Sequence, residues 1–194
     1  MRSKLHELAT VQMGYSFRSR LETSEVGGLA VIQMKDLQDN NTVTCDNLVR
    51  IDMESMKGHH LVKRGDLLFR ARGSLNTTAI LLDDPGKAVV SAPLLRIRVK
   101  KPDKILPEYL NWYISQRDAQ IFLTSRAEGT FLKMISKQTV ENLEIMLPSL
   151  ERQKSIVELA TLSANEEDLL HTLAIKRKQY VGSRLMEIAN GEIN

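Results

Sequence analysis

Cysteine is almost absent from this chain of 194 residues, which contains only Cys45. One cysteine cannot form a disulfide within the chain, so a disulfide-stabilised scaffold is excluded and a reducing compartment is indicated. Long hydrophobic runs are also missing. No stretch approaches ~18 consecutive apolar residues, and residues 1–8 lack the apolar run of a signal peptide. We therefore expect a cytoplasmic protein without a membrane segment.

The sequence also lacks the motifs of common active sites. It has no Gly-x-x-x-x-Gly-Lys-Ser/Thr or Gly-x-Gly-x-x-Gly loop to bind phosphates or a dinucleotide, and no Gly-x-Ser-x-Gly nucleophile elbow. The Asp/Glu-x-Lys arm of a common nuclease site and the Asn-Pro or Asp-Pro-Pro pair of amino-methyltransferases are missing too. His59 and His60 have no cysteine or histidine at zinc spacing, and we interpret them as a solvated loop. We expect no catalysis, no metal and no cofactor.

The charge of the chain is small and unevenly distributed. The formal net charge is +3. Residues 1–147 contain 21 Lys and Arg against 17 Asp and Glu, whereas residues 148–194 contain 6 against 7. The basic excess therefore lies in the N-terminal part, where it would indicate nucleic-acid binding only if it is clustered.

Short apolar segments bounded by Gly, Asp, Asn and Pro predict a strand-rich N-terminal part. In the segment 94–99, Arg96 and Arg98 alternate with apolar residues, which predicts a solvent-facing side for that strand, with phosphate contact as the alternative. Pro107 predicts the start of a helix that continues through Leu123. Strands and helices do not alternate regularly, so we expect a mixed α+β fold. The predicted strands are 29–34, 48–51, 61–62, 67–69, 77–82, 87–90, 94–99 and 143–147.

The last predicted strand stops at Pro148, and a helix is predicted from about residue 149 to residue 190. This divides the chain into a domain of residues 1–147 and a helical region of residues 148–194. Such a helix would be roughly 60 Å long, against a diameter of about 38 Å for the domain, so part of it is expected to pair elsewhere. Ser163-Ala-Asn-Glu166 matches a capping box, which leaves a break there open.

One side of the predicted helix carries an imperfect apolar stripe. The stripe fits either a coiled coil or a helix that lies on its own domain. The length of the helix favours pairing with a partner for at least part of it. The candidate partner-contact residues are Ile156, Leu159, Ala160, Leu170, Leu173 and Tyr180.

Four segments, in this order, resemble the target-recognition repeat of type I restriction–modification specificity subunits. The first is Leu5-His-Glu-Leu8 followed by Gly14-Tyr-Ser-Phe17, and the second is Gly65-Asp-Leu-Leu-Phe-Arg-Ala-Arg-Gly73. The third is Pro107-Glu-Tyr-Leu-Asn-Trp112, and the fourth is Leu143-Glu-Ile-Met-Leu-Pro-Ser-Leu-Glu-Arg-Gln-Lys-Ser-Ile-Val157. Each segment alone is common, but four in order over nearly the whole chain make a fairly specific resemblance.

The resemblance implies a non-catalytic subunit that directs methyltransferase (modification) subunits and a restriction endonuclease subunit to a bipartite site in double-stranded DNA. A subunit of that family has two recognition domains, spaced by long helices that pack as an antiparallel coiled coil. This chain has one domain and one helix, so it resembles half a subunit. It is either a single-repeat version that pairs with a second copy as a homodimer, or a piece of something longer.

Two loops have the chemistry to contact DNA, one after Gly14 and one around Gly73. Arginine is the usual reader of guanine and asparagine of adenine, whereas hydroxyl groups and cations commonly contact phosphates. Lys35 and Lys133 are weaker candidates outside these loops. The candidate DNA-binding residues are Tyr15, Arg18, Arg20, Lys35, Arg70, Arg72, Ser74, Asn76 and Lys133.

Some of these candidates also have a structural explanation, whereas others do not. Tyr15 suits the core at a strand end as well as it suits DNA contact. Arg18 and Arg20 are compatible with solvated loop charges. Arg70 and Arg72 are expected to be exposed, because a strand end beside a glycine turn gives an arginine little reason to be buried.

Three hypotheses of function follow from the sequence. The first is a non-catalytic, sequence-specific DNA-binding subunit that dimerises and binds methyltransferase subunits through its long helix. The second is the recognition domain of a larger fused restriction–modification enzyme whose catalytic part lies elsewhere. The third, suggested by the helix alone, is a helical interaction protein without DNA binding. A longer reading frame would separate the first two, and a DNA-binding assay would separate both from the third.

Overall fold

The computed structural model describes residues 1–17, 28–53, 57–73, 76–129 and 133–191. The chain divides into two compact units, Met1–Ser155 and Ile156–Asn194. Short 3-10 turns occupy Met34–Asp36 and Gly58–His60. In chain order, the strands and α-helices are β1 (Arg2–Lys4), α1 (Leu5–Leu8), β2 (Ala9–Met13), β3 (Leu29–Ile32), β4 (Val49–Ile51), β5 (Leu67–Arg70), β6 (Thr78–Ile80), β7 (Ala88–Val90), β8 (Leu94–Val99), α2 (Pro107–Ile114), α3 (Arg117–Thr124), α4 (Lys137–Glu141), β9 (Glu144–Met146) and α5 (Leu150–Ala189).

The described strands of the first unit form three sheets. The largest is antiparallel, with strand order β2-β8-β5-β6. The second has the order β4-β3-β7, in which β3 pairs antiparallel with β4 and parallel with β7. β1 and β9 form a separate antiparallel pair. Together with the long helix α5, these sheets confirm the predicted mixed α+β fold.

The two larger sheets share a hydrophobic core, and β3 is buried on both of its faces. Leu29 and Val31 of β3 pack in one cluster with Ile51 and Val89. Alternate side chains of a strand point to opposite faces, which explains why β3 is an unbroken apolar run. The shared core includes Ala30, Ile32, Leu68, Ala79, Leu81, Ala88, Val90 and Leu94.

Seven of the eight predicted strands are present, and five of them have shorter bounds. The strand 94–99 has the predicted bounds, and β5 extends one residue beyond 67–69. The sequence did not predict β1 or β2. The segment 61–62 forms only an isolated antiparallel bridge, in which Leu61 pairs with Val89. Val62 N also donates a hydrogen bond to Ala88 O at 3.0 Å, so the segment contacts β7 without forming a regular strand.

The helix predicted to run from Pro107 to Leu123 is two helices, α2 and α3. Pro107 lies at the first turn of α2, as predicted, but Gln116 then adopts an extended conformation with a ψ of 155°. Gln120 Nε2 donates a hydrogen bond to Ile114 O at 2.7 Å. This bond satisfies a carbonyl group at the end of α2 that has no partner within the helix.

The start of α5 is fixed by one buried amide. Gln153 is fully buried, and its Nε2 donates to Lys104 O at 2.8 Å and to Pro148 O at 3.0 Å. Its Oε1 accepts from Leu106 N at 3.0 Å. A buried amide is stable only when its donors and acceptor have partners, and this one binds backbone groups on two segments.

α5 is one continuous helix of 40 residues and is therefore about 60 Å long. It does not break at Ser163, so the capping-box pattern there lies inside the helix. Among the described residues, no helix combines the length and apolar content needed to cross a membrane. The exposed large apolar side chains of α5 are Leu159, Leu162, Leu169, Leu170, Leu173, Ile175, Tyr180, Val181, Leu185, Met186 and Ile188.

Candidate nucleic-acid interface

Two strands of the large sheet end at the same edge of the first unit. Met13, the last residue of β2, pairs with Leu95, and Arg70, the last residue of β5, pairs with Leu94. The segments that leave β2 and β5 therefore emerge together, separated by two strand spacings or roughly 10 Å.

β3 of the second sheet ends at this edge as well. Its last residue, Ile32, pairs with Val90, and Tyr15 N donates to Val90 O at 2.6 Å. Tyr15 also forms a parallel bridge with Ser91. We call this region the convergent edge and define it by the segments that follow β2, β3 and β5, which are residues 14–17, 33–37 and 71–73.

Gly14 allows the chain to pass against Ser91 at this edge. A Cβ atom on Gly14 would lie 2.6 Å from both the carbonyl carbon and the oxygen of Ser91, so a larger residue would displace the backbone. Tyr15, which follows, is half-buried. Its ring packs edge-on against Phe17 and His60, with centroid distances of 4.8 and 5.5 Å. Tyr15 therefore belongs to a half-exposed cluster of rings at the convergent edge.

The expectation that Arg70 is exposed is wrong. Arg70 is only 9% exposed, and its guanidinium donates to Thr77 Oγ1 and to Leu37 O, both at 2.8 Å. Burial lowers the pKa of Arg70, and the charge of Asp39 partly opposes this effect. The side chain turns inward because a carbonyl and a hydroxyl group there accept its hydrogen bonds. Arg70 thus ties the end of β5 to the segment after β3.

Asn76 is also buried, with 3% of its surface exposed. Its side-chain Nδ2 donates to Arg70 O at 3.1 Å, and its backbone carbonyl accepts from Gln120 Nε2 at 3.0 Å. These bonds close the loop between β5 and β6 and attach it to α3. The expectation that Asn76 is available to read a base is therefore wrong for this conformation, because its amide is used inside the protein.

Arg72 and Lys133 are exposed and lie on two paired segments. Arg72 forms an antiparallel bridge with Met134, and Gly73 N donates to Lys133 O at 3.2 Å. This pairing brings the segment that carries Lys133 to the convergent edge. The sequence does not reveal it, because the two segments are far apart along the chain and neither lies in a regular strand.

Lys35 is exposed in the 3-10 turn that directly follows β3. Asp36 is buried and stabilises this turn, since its Oδ2 accepts from Gln33 N at 2.7 Å. Lys35 therefore lies at the convergent edge. Three predicted contact residues fall outside the described part of the chain, namely Arg18, Arg20 and Ser74.

Arg96 and Arg98 do not form the predicted solvent face. Arg96 is 6% exposed, and its Nη1 donates to His59 O and Leu61 O, both at 2.9 Å. Burial lowers the pKa of Arg96, whereas the hydrogen bond with Asp66 raises that of Arg98. The alternating pattern placed both arginines correctly on one face. It could not show that the segment carrying His59 and Leu61 covers that face.

The single cysteine of the chain lies among acidic residues. Cys45 is half-buried, and burial followed by the nearby charges of Asp83 and Asp46 raises the pKa of its thiol. A raised pKa keeps the thiol protonated and weakly nucleophilic. In the described ranges, no group of three or more His, Cys, Asp or Glu side chains is placed to hold a metal ion.

The predicted partner-contact residues lie on α5. Four of them expose most of their surface: Leu159 at 70%, Leu170 at 60%, Leu173 at 64% and Tyr180 at 66%. Ile156 and Ala160 are partly exposed.

Comparison with known proteins identifies a family that matches most of the chain. Residues 1–175 match the family described as the type I restriction modification DNA specificity domain. The chain belongs to this family. The match covers both the sheets of the first unit and a large part of α5, so it does not rest on one local motif.

Solved structures from type I restriction–modification systems share the fold. A chain from work on complex assembly and conformational transition of the type I R-M system matches with a TM-score of 0.67 and 21% identity, over 88% of this chain and 39% of that one. The HsdS subunit from Thermoanaerobacter tengcongensis matches with a TM-score of 0.63 and 22% identity, over 86% and 37%. The S subunit from M. genitalium matches with a TM-score of 0.57 and 14% identity, over 92% and 42%. This chain therefore spans less than half the length of each.

Proposed function

We propose that this chain recognises double-stranded DNA through the convergent edge, as a non-catalytic, sequence-specific subunit of a type I restriction–modification system. The observation that carries this proposal is the convergence of three strand ends. Tyr15, Lys35, Arg72 and Lys133 are far apart in sequence, yet their segments meet at one edge. Segments held by a rigid sheet can contact one ligand together, and exposed cations suit its phosphates.

The domain of residues 1–147 would read one half of a bipartite site, and residues 148–194 would act as the helical spacer. A second recognition domain would read the other half. We propose that a second copy supplies it, paired through α5 as an antiparallel coiled coil. The exposed apolar side chains of Leu159, Leu170 and Leu173 support pairing of this helix. Methyltransferase and restriction endonuclease subunits are the proposed further partners, on the basis of family membership.

The test is a DNA-binding titration of the full chain with a mixed-sequence duplex of about 40 base pairs at several salt concentrations. The double variant Arg72→Ala/Lys133→Ala should bind about tenfold more weakly near 0.1 M salt. Its plot of log affinity against log salt should be less steep by about two, because two phosphate contacts are lost. Methylome sequencing of a host that carries the subunit with its methyltransferase would then identify the target sequence.

Lys87→Ala/Lys104→Ala is the matched control. Both lysines are exposed and lie away from the convergent edge, Lys87 before the start of β7 and Lys104 after the end of β8. The control removes the same charge and should bind like the wild type. A wild-type chain that does not bind duplex DNA would contradict the proposal and favour a helical interaction protein. Equal loss in both double variants would contradict the assignment to this edge.

A further inference from the structure

The turn Gly58–His60 also lies at the convergent edge. Leu61 pairs antiparallel with Val89, and Val62 N donates to Ala88 O at 3.0 Å. Because this pairing runs antiparallel, the residues before Leu61 lie beyond the carboxyl end of β7, where β3 also ends. The contact between the rings of His60 and Tyr15 shows the same placement independently.

Side chains of the large sheet hold this turn in place through hydrogen bonds. Arg96 is buried, and its Nη1 binds the backbone carbonyls of His59 and Leu61. His60 Nδ1 lies 3.2 Å from Gln12 Nε2, and the Oε1 atom of Gln12 accepts from Arg96 Nη2 at 2.7 Å. The turn is thus held in one conformation by side chains of β2 and β8, and a segment fixed before binding loses little entropy when it binds.

The side chains of the turn, and of Lys57 directly before it, differ in exposure. Lys57 and His59 are exposed, whereas His60 is half-buried between Tyr15 and Gln12. The interpretation of the histidine pair as a solvated loop therefore holds for His59 and is wrong for His60. Burial, followed by the charges of His59, Arg96 and Lys57, lowers the pKa of His60, so its ring is neutral near pH 7.

We propose that Lys57 and His59 form a further DNA-contacting segment and bind phosphate oxygens of the same duplex that Arg72 and Lys133 contact. The inference rests on the proposed function. Lys57 supplies a positive charge and His59 an N–H donor, both suited to a phosphate. The rings of His59, His60 and Tyr15 form a continuous row, with centroid distances of 4.2 and 5.5 Å. This row links the turn to the segment after β2.

The experiment uses the full chain and the same mixed-sequence duplex, titrated at several salt concentrations. Lys57→Ala/His59→Ala should bind about fivefold to tenfold more weakly near 0.1 M salt, with a salt dependence that is less steep by about one. The charge reversal Lys57→Glu should weaken binding more than Lys57→Ala does, an ordering that a packing role for this exposed side chain would not produce. Circular dichroism and thermal unfolding should match the wild type.

The outcomes separate this inference from the proposed function. If Arg72→Ala/Lys133→Ala weakens binding but Lys57→Ala/His59→Ala stays within twofold of the wild type, the inference is overturned and the proposed function stands. If the wild type does not bind duplex DNA, both are overturned. If Lys87→Ala/Lys104→Ala loses as much affinity as Lys57→Ala/His59→Ala, the effect comes from total charge, and the contact assigned to the turn is overturned.

Discussion

Arg98 and Asp66 form a bidentate ion pair, in which Nε and Nη2 of Arg98 each donate to one carboxylate oxygen of Asp66 at 2.6 Å. The Asp66 side chain is 1% exposed and that of Arg98 27% exposed. Asp66 Oδ2 also accepts from Lys63 N at 2.9 Å, and Arg98 Nη2 donates to Leu61 O at 2.9 Å. The pair therefore attaches the segment that follows the turn Gly58–His60 to β8.

Asp66→Ala should lower the free energy of unfolding by about 3 kcal/mol, because it leaves the charge of Arg98 without its partner. Urea unfolding followed by circular dichroism measures this change. Arg2→Ala is the control, since the Arg2–Glu144 pair is 3.6 Å apart with side chains 65% and 56% exposed. Loss of that surface pair should change stability by less than about 1 kcal/mol. Equal effects of the two substitutions would contradict a structural role for Asp66.

Arg70 and Arg72 should separate into a stability effect and a binding effect. Arg70→Ala leaves Leu37 O without its donor and should cost about 2 kcal/mol of unfolding free energy. It should also weaken DNA binding indirectly, because Arg70 positions the start of the loop that carries Arg72. Arg72→Ala should weaken DNA binding while changing stability by less than about 0.5 kcal/mol, since Arg72 is exposed. Thermal unfolding and the duplex titration should be performed on both variants. A lower stability of Arg72→Ala than of Arg70→Ala would contradict this division.

Tyr109 should make stability depend on pH in the alkaline range. Its hydroxyl donates to Met146 O at 2.8 Å, and burial, with a smaller contribution from Tyr113, raises the pKa of Tyr109 to about 12. The pKa of tyrosine in an unfolded chain is about 10. Because the pKa is higher in the folded protein, the protonated Tyr109 hydroxyl contributes its full stabilisation below pH ~10. This contribution is lost as the pH rises toward 12.

The comparison between the wild type and Tyr109→Phe isolates this effect from other groups that titrate in the same range. At pH 8 the wild type should be more stable by about 1 kcal/mol, because the variant lacks the hydrogen bond to Met146. The difference should shrink, and then reverse, as the pH rises through 11. Urea unfolding of both proteins across this range provides the measurement, and a difference that stays constant would contradict burial of the Tyr109 hydroxyl.

The α5 stripe should mediate self-association. Leu170→Glu/Leu173→Glu places two charges in the stripe and should convert a dimer to a monomer at tens of micromolar, an order-of-magnitude concentration range for a small helix-pair interface. Thr172→Glu/Gln179→Glu is the control, because helical periodicity places these residues on the opposite side of α5. Sedimentation analysis distinguishes the two forms. A wild-type monomer at such concentrations would contradict pairing with a second copy.

The sequence predicted many elements of the fold, because local chemistry determines them, but it did not predict β1 or β2. Pro107 and Pro148 mark the starts of α2 and α5 correctly, and the apolar run 29–32 reads as a buried strand. The break at Gln116 was missed, because the helical spacing of apolar residues continues across it. Hydrogen bonds from Gln120 stabilise the break, and they depend on how α3 packs rather than on a local signal.

The candidate site was predicted less completely. Residue type identified Tyr15, Lys35, Arg72 and Lys133 as suitable for contacting DNA, and all four lie on segments at one edge. Residue type could not separate Arg72, which is exposed, from Arg70, which is buried. It also led to the interpretation of His59 as a solvated loop residue without a DNA-binding role. Nothing local in the sequence connects the turn Gly58–His60 with Gly14 and Tyr15.

The sequence by itself determined where most strands after residue 28 form, where the helices α2 and α5 begin, and which family the chain resembles, because these depend on neighbouring residues and on their order. Only the tertiary structure decided which arginines are exposed and which segments share an edge. Those features depend on strand register and on carbonyl groups from distant segments, such as Leu37 O beneath Arg70 and His59 O beneath Arg96. Hydrogen bonds between segments far apart in the chain leave no periodic pattern in the sequence, so folding alone brings them together.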